Sequence, residues 1–461
     1  MKLEDLDDNA VVISGISGKF PKSDNINELI KNLMNEEDCL TSDHAKWKLD
    51  LDEVPLRVGL IPSIQKFDNV FFGINTKQTN FIEPAARLAT ESTFEAITDA
   101  GINPLQLRGM KTNVYGALTI TESDKSLFYE KLEQNGLNLL GSCRAMLSNR
   151  ISFSMNLIGS SCTIDATCIS SSVAIQKAYE ALKAENCDYA IITSGMLILH
   201  PHTSYHLSEL GLLSDDGVNR SFDKKASGFS RSESIGAIFL QRAKHARRIY
   251  AEVVNICLSY GKSIPRNHCM FPTAEFQAQL MKKTLKDCGL KPSDVTYIEA
   301  DGTAIKLMDR EELKAIDLVY GKDRSPSKPL LIGSIKSNIG HTINNNTINS
   351  IIKVIIAMET GVLPPNLHYD KPPEDAKCLQ EGRVKVVTKK TPWMDRYAAI
   401  NTASCNGCFS HIILKRNLKE KQRKEISLDT MPRLFVASCR TKEMISAIFN
   451  VVMTLFYKRI N

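Results

Sequence analysis

The sequence predicts an α/β protein whose sheets are covered by helices. Three observations carry this expectation. Runs rich in Val and Ile alternate with amphipathic helical patterns. Many of the runs are almost wholly apolar, as in strands buried on both faces. No short-period repeat or low-complexity stretch interrupts the first ~415 residues, which read as one compact domain. In chain order, "AVVISGI" predicts a strand and "EPAARLATESTFEAITDAG" a helix, its apolar residues three and four apart. "TNVYGALTI" predicts the next strand and "SSSVAIQKAYEALKAENC" the next helix. Three strands follow in "YAIITSGM", "IGAIFLQ" and "AEVVNICL", then a helix in "AEFQAQLMKKTLKDCG". "VTYIEADG" and "LLIGSI" predict strands separated by the helix "MDREELKAIDLVYG". The helix "NSIIKVIIAMETG" and the strands "AAINTAS" and "HIILKR" complete the pattern.

Composition narrows the classes of function. The chain has 461 residues, 43% hydrophobic and 24% charged, as in a soluble globular protein. Its net charge of +6 comes from 58 basic against 52 acidic residues, partly from the run "KRNLKEKQRKE". No basic face with interleaved aromatics argues for nucleic acid. The start, "MKLEDLDDNA", is acidic and lacks the apolar core of a signal peptide, and "SIIKVIIAM" and "AIFNVVMTLFY" are too short to span a bilayer. These features place the protein in the cytoplasm, off the membrane, and make its twelve cysteines reduced thiols. "CNGC", from Cys405 to Cys408, is a single CxxC without a second pair at metal spacing, so neither a metal site nor redox use is expected.

The stretch "SCTIDATCISSSVAIQ" stands out. It reads as a buried strand, a tight turn, and a helix of about five turns. Cys168 falls at the first turn of that helix, where unpaired amides and the dipole favour an anion and lower a thiol pKa. The same amides can hold the oxygen of a tetrahedral adduct. Ala166 and Ser170 to Ser172 are small and leave room for an acyl chain. A buried structural cysteine is the plainer alternative.

These residues resemble the active-site motif of the β-ketoacyl synthases, Asp-Thr-Ala-Cys-Ser-Ser-Ser, with Thr and Ala exchanged and Ile169 in place of the first Ser. Further segments match in order. "GISGKFPKSDNINELIKNL", "FFGINTKQTNFIEPAARLATESTFEAITDAGINP" and "NRISFSMNLIGSS" lead to the cysteine. "LGLLSDDGVNRSFDKKASGFSRSES" carries Phe222, Asp223, Arg231 and Glu233, and "GSIKSNIGHT" carries Lys336, Asn338 and His341. The resemblance spans about residues 10 to 416 and is nearest to the ketosynthase of animal-type fatty acid synthases.

The resemblance implies a thiolase-like fold of five layers, αβαβα, with two similar halves, and a homodimer. It implies decarboxylative Claisen condensation: a cysteine takes an acyl group from a phosphopantetheine-linked acyl carrier protein, and the enolate of a malonyl thioester then attacks it. No cofactor binds the domain itself. Cys168 is the implied nucleophile and His341 the second family histidine. Lys336 either orients the site or is a solvated charge. Phe222, Cys405, Asn406 and Gly407 belong to the substrate and oxyanion region. The first family histidine is missing, since Glu-Ala-His-Gly-Thr-Gly-Thr has become "EADGTAI" with Asp301 in its place. A carboxylate accepts hydrogen bonds but cannot donate them to an enolate. The Gly-Phe-Gly-Gly gate has become "SCNG", and "INNNT" follows His341 where the family has Glu and small residues. Acyl loading with weakened condensation is therefore the expectation. A catalytically silent dimerisation scaffold, thiolase-type chemistry without a carrier protein, and a fragment of a larger synthase are the competing readings. Residues 1–416 form the expected domain. Residues 417–461 are read as a charged linker and the start of a further segment, "PRLFVASCRTKEMISAIFNVVMTLFYKR", a strand and a helix.

Overall fold

The structure is a computed structural model that describes residues 6–43, 57–125, 136–417, 436–439 and 441–460. Glu4–Asn417 form one unit, and Leu418–Asn461 belong to a second, whose helix is Lys442–Ile460. The expected strand before that helix falls largely outside the described residues, and 436–439 carry no regular structure.

An eleven-stranded mixed sheet organises the main unit. Its strands are β1 (Val11–Lys19), β2 (Thr112–Ala117), β3 (Ser161–Ile164), β4 (Tyr189–Met196), β5 (Ser234–Arg242), β6 (Ala251–Tyr260), β7 (Val295–Glu299), β8 (Leu330–Gly333), β9 (Val384–Val386), β10 (Tyr397–Ala403) and β11 (Cys408–Arg416). Their spatial order is β9-β8-β7-β10-β11-β6-β1-β5-β4-β2-β3. Outward from the middle, β1 meets β5, β4, β2 and β3, while β6 meets β11, β10, β7 and β8. The first two pairings are antiparallel and the next two parallel in both series. Two halves of one connectivity are thus joined through β1 and β6, which pair only at Val12–Glu252 and Ile13–Ala251.

Helices fill three further layers. Helix α1 (Pro84–Asp99) and helix α2 (Met146–Met155) cover the first half-sheet, and α4 (Ala274–Cys288) with α5 (Lys306–Ile316) covers the second. Between the half-sheets lie α3 (Ser170–Lys183) and α6 (Asn346–Thr360), each touching strands of both halves. These are the five layers that the resemblance implies. Gly15 on β1 lets α1 approach closely, because a Cβ there would lie 1.9 Å from the Ala96 carbonyl oxygen.

Burial explains why the strand runs are so apolar: all nine residues of β5 are buried. Helix α6 is buried from Asn346 through Met358. Its one buried charge, Lys353, meets Glu299 of β7 at 2.8 Å, and Glu299 also accepts from the Ile335 amide and the Tyr297 hydroxyl. Two details differ from the sequence reading. Strand β3 is the edge of the sheet and only half-buried, with Cys162 exposed, because no strand follows it. Helix α3 ends at Lys183, about four turns long.

The Lys353–Glu299 pair yields a prediction. Glu299→Ala strands an ammonium inside the central layer and is expected to cost about 3–5 kcal/mol in urea unfolding. The double change Glu299→Leu with Lys353→Met is expected to cost far less.

Candidate active site

The central helices begin side by side, and the turns before them, Thr167–Ile169 and Ile343–Asn345, pack against each other. Cys168 occupies the first turn, between β3 and α3, with its side chain deep in the fold but partly open to solvent. No side chain caps this helix end. The turn is sharp because Thr167 adopts a left-handed φ of 54°. That conformation costs a β-branched residue about 1–2 kcal/mol, and the Thr167 hydroxyl is buried without a partner. Ala stands at this place in the family motif, so the exchange seen in the sequence increases the strain at the nucleophile turn.

The serines after Cys168 do not open a channel as expected. Ser170 to Ser172 are fully buried. The Ser170 hydroxyl accepts from the Ala166 amide at 2.8 Å and donates to the Thr167 carbonyl at 2.7 Å. Ser172 joins Thr347 at 2.6 Å and Ser410 at 2.8 Å, tying the two central helices to β11. Small side chains here buy close packing.

Asp301 and Lys336 come to the site from the second half. Lys336 is 2% exposed, which rules out the solvated-charge reading. Its ammonium donates to Asp301 Oδ1 at 2.8 Å and to the Asp301 carbonyl at 2.7 Å. The Asp301 amide donates to Glu312 Oε1 at 2.8 Å and the Gly302 amide to Oε2 at 3.0 Å, fixing the turn after β7. Burial and the charge of Asp301 push the Glu312 carboxyl up to about 7. Oδ2 of Asp301 is buried and makes no hydrogen bond.

His341 is 2% exposed and stacks on Phe229, ring centroids 4.2 Å apart. It is no surface residue. Its Nδ1 accepts from the Ile343 amide at 3.2 Å, which puts the ring proton on Nε2. Asn346 Nδ2 lies 3.3 Å from Nε2, but its own Oδ1 is taken by the Thr342 amide and hydroxyl. Two donors therefore face each other, and Nε2–H remains free to donate elsewhere. Burial, then the Lys336 charge, holds the imidazole well below its usual range, so it is neutral near pH 7.

The 404–407 turn supplies a second thiol. Cys405 is partly exposed, and the neighbouring Cys168 thiol, with a smaller contribution from Cys269, lowers it to about 7 against the effect of burial. Cys168 is correspondingly raised: by the Cys405 sulfur beside it first, then by burial, then by the charges of Cys405 and Asp301, with Lys336 opposing. The expected lowering of the Cys168 pKa is therefore not met, because a competing thiolate stands against it. The backbone of Cys405 also favours its own thiolate. Asn406 donates its amide to Ser404 Oγ at 3.3 Å, and Gly407 has φ 87° with no room for a Cβ beside Tyr260 and Ser263. Phe222 is fully buried behind the site, its amide on Asp309 at 2.8 Å and its ring against Gly302.

Other motif residues brace loops. Asp223 accepts the Asp370 and Lys371 amides, Glu233 those of Ile61 and Ile198, and Arg231 pairs with Glu122 at 2.6 Å. Asn338 is buried, its side-chain oxygen accepting from Ser337. The "INNN" run is also structural. Asn344 Nδ2 donates to the Ala117 and Gly195 carbonyls at 2.9 Å each, and Asn345 Nδ2 to Ser234 at 2.6 Å. A surface cavity of about 260 Å³ lies between Asp223, Arg266, Lys306 and Arg310, and none of Cys168, Asp301, Lys336 or His341 lines it. Sequence reading missed Glu312 and Cys269, which only folding brings to the site.

Comparison with known proteins agrees with this geometry. Residues 8–246 match the Beta-ketoacyl synthase N-terminal domain, 250–370 its C-terminal domain, and 372–458 the Ketoacyl-synthetase C-terminal extension. The chain is 37% identical to a fatty acid synthase sequence of Anser anser anser, over 76% of this chain and 99% of that sequence. It is 31% identical to erythronolide synthase EryA2 of Saccharopolyspora erythraea, over 84% of this chain but 11% of that synthase. The solved ketosynthase from module 6 of the bacillaene synthase of Bacillus subtilis superposes with a TM-score of 0.80 at 28% identity, over 88% of this chain and 72% of that one.

The strained turn gives a prediction. Thr167→Gly is expected to raise stability in urea unfolding by up to about 1 kcal/mol, because relief of the left-handed Thr exceeds the entropy Gly adds to the unfolded chain. A loss of stability would show the turn to be unstrained.

Proposed function

This chain belongs to the β-ketoacyl synthase family, as a ketosynthase domain of the fatty acid and polyketide synthase type, and from that premise we propose that it loads an acyl group on Cys168 and condenses it only weakly. The substrates in this reading are acyl and malonyl thioesters on the phosphopantetheine arm of an acyl carrier protein, in cytoplasmic fatty acid synthesis. Residues 1–416 act as the catalytic domain and 417–461 as a linker, a division that the extension match at 372–458 crosses. A homodimer would use the half-exposed edge strand β3, with the exposed Phe153 and Ile158 beside it.

In the loading step, the Cys168 thiol passes its proton to the Cys405 sulfur it already contacts, and its thiolate attacks the thioester carbonyl. The carrier thiolate leaves and takes up a proton. Condensation then releases carbon dioxide from the malonyl group, and the enolate carbon attacks the acyl-cysteine, returning the Cys168 thiolate. His341 Nε2–H is a neutral donor for the enolate oxygen. Asp301 is the weak point. Its carboxylate offers no proton and would face the enolate with like charge, partly offset by Lys336.

The observation that carries this reading is Cys168 at an uncapped helix start beside the Asp301–Lys336 pair. That same pair also favours the silent scaffold, since it fills the place of a catalytic donor. Incubation with a labelled acyl carrier thioester separates them: label on Cys168, lost in Cys168→Ala, is expected, and a dimer without label would leave only the scaffold. Asp301→His is expected to raise ketoacyl formation by about tenfold or more. Brisk condensation by the unchanged protein, or no effect of the substitution, would overturn the role given to Asp301.

A further inference from the structure

Cys405 stands between two other thiols, and loading uses only one of them. The Cys168 and Cys269 thiols both act on its ionisation, each favouring the Cys405 thiolate. Backbone contacts hold the three together. The Met270 amide, next to Cys269, donates to the Cys405 carbonyl at 2.8 Å, and Met270 bridges to Asn406. The Thr167–Ile169 turn packs against both strands that flank the 404–407 turn. Access is uneven. Cys405 and Cys168 are partly exposed, while Cys269 is buried. All three are free thiols. In the family gate an aromatic stands in this turn, so the cluster depends on the change to "SCNG".

We propose that this cluster is an oxidative modification site: a hydroperoxide oxidises Cys405, and Cys168 then closes a disulfide with it, masking the nucleophile. The consequence for acyl loading rests on the function proposed above, but the disulfide does not. In the first step the Cys405 thiolate attacks one peroxide oxygen, breaking the O–O bond and giving Cys405–S–OH and hydroxide. In the second, the Cys168 sulfur attacks the sulfenic sulfur and expels hydroxide. The two thiol protons convert both hydroxides to water, so two thiols and one hydrogen peroxide give one disulfide and two waters.

The order of events follows from the contacts. Both neighbouring thiols favour the thiolate on Cys405, which forms at about 7, so Cys405 reacts first. Oxidation then removes the negative charge and the strong acceptor that keep Cys168 protonated. What remains at Cys168 is an uncapped helix end, which favours its thiolate. Cys269 has no such field and is held up at about 11 chiefly by burial. Cys168 is therefore the partner, although the sequence joins Cys405 to Cys408 in a CxxC.

The test treats the full, reduced chain with hydrogen peroxide, blocks remaining thiols, and maps disulfides in unreduced peptides. A Cys168–Cys405 link that dithiothreitol removes is expected, forming faster as pH rises through about 7. Iodoacetamide labelling of Cys168 is expected to fall at least about tenfold after peroxide. In Cys405→Ser, no peptide joined through a Cys168 disulfide should appear after peroxide. Cys269→Ser should still form the link, and it tests the assignment if Cys405→Ser fails to fold. A Cys269–Cys405 or Cys405–Cys408 link instead, or a Cys168 disulfide that persists in Cys405→Ser, would overturn the proposal. None of these readouts requires acyl loading, so a chain that takes no acyl group can still pass or fail them.

Discussion

A helical layer with a sheet on each side leaves little face for water, and this constraint shapes both the core and the site. Every buried polar group on α3 and α6 must find its partner inside the protein or carry the cost of burial. Lys353 finds Glu299 across the layer. Ser172, Thr347, Thr402 and Ser410 form a chain of hydroxyls linking α3, α6, β10 and β11. Asn344 and Asn345 reach the ends of strands in the first half. At the helix starts the Thr167–Ile169 and Ile343–Asn345 turns meet, and the second of these follows His341 directly in the chain.

Electrostatics at that point differ from a simple helix-end thiol. A lone cysteine at an uncapped helix start would be lowered by the exposed amides. Here Cys405 competes for the negative charge, and Asp301 adds another that Lys336 offsets only in part. The Asp301–Lys336 pair also solves a folding problem. A carboxylate buried in place of an imidazole requires a cation, and Lys336 already lies in reach. The substitution is compatible with the fold, and a carboxylate there accepts hydrogen bonds where an imidazole could donate one. Scaffold motifs and reactive positions can thus diverge independently in one chain.

Much of the fold was legible in the strings themselves. Runs such as "IGAIFLQ" and "AAINTAS" carry so few polar residues that only strands covered on both faces satisfy them, and both are β-strands in the structure. Strand β9 was not legible, because three residues with one exposed between two buried leave too little pattern. Strand β3 looked buried because "SCTI" is short and weakly polar. Its position at the sheet edge is a matter of topology, which local composition does not encode.

The same division holds at the site. Sequence alone determined the family, the turn bearing Cys168, the histidine in register, and the loss of a donor at Asp301, because these depend on residue type and order. Tertiary structure decided the rest, since burial and proximity couple residues far apart in the chain. Lys336 became a buried counter-ion, and Ser170 to Ser172 became packing and hydrogen bonds. Cys269 and Cys405, 136 positions apart, became neighbours. A thiol's ionisation depends on the field at its sulfur, and that field exists only once the chain has folded.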